Sequence, residues 1–451
     1  MTRLEPVTYA LDSDSLLIHD SAAVGREMHE LMTELYPICR SISGNGVRIT
    51  HDLIRRLIPL ESKEVPTGTQ VFDWTVPREW NVRDAYVIGP NGTKIIDFQR
   101  CNLHLLNYSV PIRARMPLAE LREHLYTLPD QPGVIPYRTT YYRDAWGFCL
   151  SYEQYSALSD GEYEVVIDTT LEDGYLTYGE LFLQGESEEQ FLISCYTCHP
   201  SLCNDNLSGV VLTTFLAKHL LGQARRRFSY RFLFIPETIG AITWLALNEV
   251  DVPKIRHGLV ATCLGDPGVP TYKRSRRGRA EIDRAVEHVL RQSGEEYRIL
   301  DFFPTGSDER QFCSPGFNLP IGSLMRTPYG RFSEYHTSAD NLSFVRPSCL
   351  ANSFDNYLKV IFIIEQNLTY YSLNPKCEPQ LGRRGLYRQI GGSNTGAADL
   401  EEALYWVLNF SDGENSLLDI AERSGLAFRK IRHASELLCQ HSLLGELSLA
   451  A

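Results

Sequence analysis

A chain of 451 residues, 43% hydrophobic and 22% charged, has the make-up of an ordinary folded protein, with room for roughly two or three domains. Its net charge of −12 excludes a nucleic-acid surface spread over the whole molecule, although a local basic patch stays open. No run of about 18 apolar residues occurs and Met1 to Ala10 carries no cationic apolar signal, so neither a membrane partner nor export is expected. Eleven cysteines, an odd number scattered along the chain, make no disulfide framework, and a reducing cytoplasm is the expected location.

Residues 1 to about 20 are polar and irregular and read as a loose leader. From Val24 the spacing of Met28, Leu31, Met32, Leu35 and Tyr36 predicts a helix. Ser41 to Gly46 reads as a turn, and Thr50 to Leu60 as a second amphipathic helix with Leu53, Ile54, Leu57 and Ile58 inward. The character changes at Val65-Pro66-Thr67-Gly68-Thr69. Short alternating runs follow, Gln70 to Val76 and Ala85 to Ile88, with a turn at Gly89-Pro90-Asn91-Gly92 and dense aromatics as far as Trp146-Gly147-Phe148. The expectation is a mainly β domain over 67–159, inserted into a host formed by 20–66 and 160–372.

In the host, Tyr163 to Ile167 and Gly179 to Leu183 read as strands leading to the stretch that organises the rest. Phe191 to Tyr196 is an apolar strand; His199 and Asp205 follow its end, and a helix begins after Ser208-Gly209. Chemistry in open α/β sheets collects beyond the carboxyl ends of strands. Two plainer readings compete: a loop histidine with Asp205 as an N-cap, or a structural zinc on Cys195, Cys198 and Cys203. Tyr230 to Ile235 then ends at Pro236-Glu237-Thr238-Ile239-Gly240, and Gly258 to Leu264 at Gly265-Asp266. Helical patterns between these strands give an α/β fold with a mixed, largely parallel sheet flanked by helices. Three strands in succession deliver Asp205, Glu237 and Asp266, and clustered carboxylates repel unless they are protonated or bridged by a cation. A metal therefore outweighs the plainer readings.

Farther on, Gly306-Ser307-Asp308-Glu309-Arg310 and Glu334 to Asn341 sit in polar loops. A helix marked by Leu350, Phe354, Tyr357, Leu358, Ile361 and Ile364 closes the host. Residues 373–399 read as a linker. Residues 400–451 read as short helices of winged-helix type, with Arg429, Lys430 and Arg432 on one of them. Asp412, Glu414, Asp419, Glu422 and Glu436 dilute those cations, which favours packing or homo-oligomerisation over DNA binding.

Glu34 to Ile42, Val71 to Pro77, Asn102-Leu103-His104, Cys198-His199-Pro200-Ser201, Asn204 to Gly209 and Gly306 to Arg310 together resemble an aminopeptidase-like protein family related to the double-zinc aminopeptidases. The resemblance covers nearly the whole chain. It implies a zinc exopeptidase-like fold with a small inserted domain and a C-terminal winged helix. It also implies a ligand set: His199 and Asp266 on a first metal, Asp205 bridging, His336 on a second. Tyr335 would stabilise an oxyanion, Glu237 would be the general base, and Asp308 and Asp340 would orient ligands or substrate. One departure stands out. Those enzymes carry two adjacent glutamates before x-Gly, whereas Thr238 follows Glu237 here, and the spacing from His199 to Asp205 is shorter. Either the second metal is weak or absent, or Glu237 ligates it, so one or two zinc ions are expected.

The function expected is zinc-dependent hydrolysis of an amide in a small peptide or N-aminoacyl compound. The alternative is a non-hydrolytic metal-binding regulatory protein that keeps the fold. Tyr141, Tyr142 and Trp146 either wall the mouth of the site or form a separate aromatic core.

Overall fold

A computed structural model describes residues 15–17, 19–386 and 395–447. The expected leader therefore lies mostly outside the described residues, as do part of the expected linker and the last four residues. The described chain divides into two compact units, 18–283 with 296–357, and 284–295 with 358–451. Among the described residues no helix is long and apolar enough to cross a membrane.

The larger unit is built on an eight-stranded sheet. Its order is Glu61–Pro66, Tyr175–Leu183, Ser229–Ile235, Gln190–Tyr196, Ile255–Ala261, Ile321–Met325, Thr271–Lys273 and Arg298–Leu300. The four middle strands are parallel, and the outer ones include antiparallel pairs. All seven residues of Gln190–Tyr196 are buried, as are all seven of Ser229–Ile235, which is the continuous apolar run a strand covered on both faces requires.

A second, four-stranded sheet has the order Lys94–Asp97, Glu79–Ile88, Glu162–Glu172, Ile112–Pro117. Glu162–Glu172, expected as a host strand, belongs to this small sheet instead. It pairs along its length with Glu79–Ile88 and along half of it with Ile112–Pro117, and Tyr163, Val165 and Ile167 point into that sheet's core. Alternation alone does not say which sheet a strand joins. Trp80, Val87, Val165 and Ile167 of the small sheet share one apolar cluster with Leu192, Leu233, Val260 and Ile321 of the large one.

The helices Ser21–Leu35 and Ser208–Leu221 carry the apolar spacing read for them, and Ile239–Leu247 is a helix between two strands, as the α/β pattern expects. The second helix is Asn45–Arg55 and starts inside the expected turn. Gly44 at φ +95° enters it, and Asn81 of the small sheet accepts the Asn45 amide at 2.7 Å, a cap supplied from far along the chain.

In the smaller unit, Asp412–Ser416, Thr369–Ser372 and Leu444–Glu446 form a three-stranded antiparallel sheet beside helices Thr395–Phe410, Leu417–Ser424 and Phe428–Gln440. Thr369–Ser372 thus lies at the end of the stretch expected as host, and Thr395–Phe410 starts within the stretch expected as linker. Ser416 and Asp419 form a capping box at the start of Leu417–Ser424. Of the three cations singled out, Arg432 is buried, donates to Gln366 Oε1 at 3.0 Å and pairs with Glu436. Asp419 and Glu422 meet Arg284 at 2.6 and 2.8 Å.

Candidate metal centre

Gln190–Tyr196 lies between the next two parallel strands, one on each side, so the chain reverses its direction of winding there. A crevice opens beyond such a switch point. The loop after this strand is pinned by its two asparagines. Asn206 donates to Ala261 O at 3.0 Å and accepts from the Gly209 amide; Asn204 accepts from the Gly265 amide at 2.9 Å and donates to Asp266 at 3.1 Å. Asp340 takes the amides of Asn204 and Asp205 at 2.6 and 2.9 Å. Burial pushes the Asp340 carboxyl up to about 8 against the pull of those donors. Asp205, joined to Asn206 by a cis peptide bond, is buried at this end of the loop.

There Asp205 meets His199 and His336. One donor atom from each of the three lies within 4.8 Å of the others. His336 Nε2 is 2.9 Å from Asp205 Oδ2 and His199 Nε2 is 3.8 Å from it. Asp205 Oδ2 and His336 Nε2 are buried yet have no hydrogen-bond partner, since their angles do not suit one another. Leaving such atoms unmet costs about 1–3 kcal/mol each. A divalent cation would meet both, and two imidazole nitrogens with a carboxylate oxygen form a donor set suited to a transition metal. Burial opposes ionisation of Asp205, but His199, His336 and Tyr196 outweigh it and draw the carboxyl down to about 2. Burial lowers the His199 imidazole to about 4, which keeps it neutral and able to ligate.

Asp266 does not join this cluster. Its carboxylate accepts from the Gly268 amide at 2.7 Å, the Thr327 amide and Asn204 Nδ2 at 3.1 Å each, and the Thr327 hydroxyl. The side chain is held by Gly268 of its own loop and by Thr327 and Asn204 of two other segments, which alignment of strand ends does not reveal. The three-cysteine zinc is not formed either. Among the described residues the candidate metal sets are His199–Asp205–His336 and Cys198–His199–Glu237, without Cys195 or Cys203.

Glu237 stands at the crevice wall, its Oε2 4.0 Å from His199 Nε2 and its side chain 26% exposed. Partial burial, with Asp308 and Asp205 close by, raises its carboxyl well above the ordinary range. Thr238 follows at φ +63°, a strained position for a β-branched residue. Its amide donates to Asp308 Oδ1 at 2.7 Å, and Arg310 Nη2 donates to its hydroxyl at 2.8 Å. Burial raises the Asp308 carboxyl to about 7. Tyr335 stacks on His336 with ring centroids 4.0 Å apart, and burial together with Asp205 pushes its phenol up.

Among the neighbours of the cluster, Tyr196, Arg40 and Tyr137 escaped the sequence reading, and Cys198 was weighed as a ligand of a structural zinc. Tyr196, read as the last strand residue, donates its hydroxyl to Asp205 Oδ1 and lies 2.7 Å from the Thr262 hydroxyl. Cys198 Sγ lies 3.3 Å from His199 Nδ1 and accepts the Glu237 amide. Arg40 is buried and donates Nε to the His199 carbonyl at 2.9 Å; its place in the Glu34–Ile42 segment was the available signal. Tyr137 lies over both histidines, 5.3 Å from His199 and 5.1 Å from His336, and its hydroxyl is 3.1 Å from that of Tyr141. Of the aromatics proposed as a wall, only Tyr141 is at the site. Tyr142 is 51% exposed beside Trp74, and Trp146 stacks on His124.

Residues 29–367 match the family model described as a domain of unknown function, DUF4910. The chain belongs to this family. Residues 368–446 match a winged helix-turn-helix family. A relative from Clostridium acetobutylicum is 57% identical over 427 residues, 95% of this chain and 98% of its own; its provisional name is polysaccharide biosynthesis protein with aminopeptidase-like domain. A crystal structure from the same organism, provisionally named a peptidase, is 54% identical with a TM-score of 0.92, covering 97% of this chain and all of the other. The Bacillus subtilis zinc aminopeptidase is 11% identical with a TM-score of 0.56, covering 77% of this chain and 96% of that one. The DUF4910 fold of this chain is thus that of the zinc aminopeptidases, followed by a winged helix.

Proposed function

We propose that this chain is a zinc-dependent amide hydrolase of aminopeptidase type, acting on a small peptide or N-aminoacyl compound. The observation that carries this reading is the pair of unmet buried atoms, Asp205 Oδ2 and His336 Nε2, with His199 Nε2 beside them and a carboxyl of raised pKa at the wall. His199, Asp205 and His336 would hold the ion, which when bound supplies a Lewis acid and a water of lowered pKa. Glu237, its Oε2 4.0 Å from His199 Nε2, is placed to take the proton of the attacking water and return it to the leaving amine. Tyr335, kept protonated by its surroundings, is a donor for the developing oxyanion. Tyr137, beside His199 with Tyr141 behind it, would favour a small acyl group. The acidic walls suit a substrate with a free amino group.

The test is amine release from a panel of aminoacyl amides and dipeptides by zinc-loaded protein. Glu237→Gln should lower kcat by about 10²–10⁴ while metal content stays the same. Hydrolysis that is indifferent to this substitution, or none across the panel, would sink the assignment in favour of a metal-binding protein without hydrolytic function.

A further inference from the structure

We propose that the centre takes one metal ion, and that Arg310 is the built-in cation in the place where a second ion would otherwise be needed. The proposal rests on the metal reading above. Two donor sets are available, and they share His199. The second, with Cys198 and Glu237, is already engaged: Cys198 Sγ accepts the Glu237 amide at 3.3 Å and faces His199 Nδ1 at 3.3 Å.

The remaining acidic groups already have cations. Glu309 is fully buried against Lys273 at 2.6 Å. Arg310 is fixed on the residue next to Glu237 in the chain, its Nη2 on the Thr238 hydroxyl at 2.8 Å. Asp308 in turn holds the Thr238 amide at 2.7 Å. Thr238 is thereby locked between an acceptor and a donor in its left-handed conformation. Its short neutral side chain leaves room for a guanidinium where a carboxylate would have bound a metal instead. A guanidinium stays charged at all working pH values and takes no metal. Placed beside Glu237 it repels a second divalent ion and keeps that carboxylate free for proton transfer.

The experiment counts zinc per chain in full-length protein equilibrated with excess zinc, by elemental analysis and by zinc K-edge absorption fine structure. Wild type should hold one zinc with no metal–metal scattering at about 3.5–4 Å. Thr238→Glu alone should stay at one, because Arg310 pairs with the new carboxylate. Thr238→Glu combined with Arg310→Gln, once shown to be folded by its thermal melt, should rise to two. Two zincs in the wild type, two in Thr238→Glu alone, or one in the folded double variant would each overturn the proposal and leave the hydrolase reading standing. No zinc in the wild type would overturn both. If the double variant fails to fold, the wild-type count and its absorption spectrum decide alone.

Discussion

Asp205 and Asp266 both lie in loops after parallel strands as buried carboxylates, and their surroundings give them opposite work. Asp205 keeps one oxygen on Tyr196 and turns the other, unmet, toward two imidazoles. Asp266 spends its oxygens on two backbone amides, an amide side chain and a hydroxyl. Asp266→Ala should therefore leave zinc binding within about twofold. It should cost about 2–4 kcal/mol of stability, because it strands buried donors, and denaturant melts with metal analysis on the same sample separate the two effects. Tyr196→Phe removes a donor to Asp205 without touching the imidazoles. It should weaken zinc by about 10- to 100-fold, as loss of an outer partner does, which a competing chelator measures.

At the scale of elements, the helix Ser208–Leu221 must begin hard against the strand Ile255–Ala261. A Cβ on Gly209 would lie 2.2 Å from Ala261 O and 2.5 Å from the Asn206 side chain. Gly209→Ala should thus cost about 1–3 kcal/mol, a fall of several degrees in Tm, and should weaken metal binding too, because the displaced Asn206 anchors the loop carrying Asp205. The central strands, this helix and the placing of His199 and Asp205 were legible because burial on both faces and helical spacing write themselves into consecutive residues. Other features were not. Asn45–Arg55 takes its cap from Asn81, Glu162–Glu172 finds its partners in a sheet begun far earlier, and Tyr137 reaches the histidines from a segment with no motif. Each depends on pairing between distant segments, which no local pattern records. His336 was found by resemblance, and its loop (φ +54°) has no periodic signal to read.

Across the larger unit, the two sheets are tied by a charged clamp as well as by shared apolar surface. Arg48 of the helix Asn45–Arg55 grips Glu79 of the small sheet through two bonds at 2.7 and 2.8 Å, and the Tyr175 amide donates to the same carboxylate at 2.9 Å. Arg48 leads in holding the Glu79 carboxyl down at about 2. A depressed carboxyl contributes stability above its unfolded pKa of about 4.3 and loses it as pH falls through the folded value. The clamp is partly open to solvent, so its share is on the order of 1–2 kcal/mol. Wild type should lose Tm between about pH 4.5 and 2 more steeply than Glu79→Gln, and parallel slopes would show that the clamp contributes nothing.

The proposed metal-holding trio is His199, Asp205 and His336, with Asp266 outside it. Its most direct test is zinc per chain in wild type, Asp205→Asn and Asp266→Ala, purified alike and confirmed folded. About one zinc is expected in wild type and Asp266→Ala, and none in Asp205→Asn. Zinc retained by Asp205→Asn, or lost from folded Asp266→Ala, would contradict it.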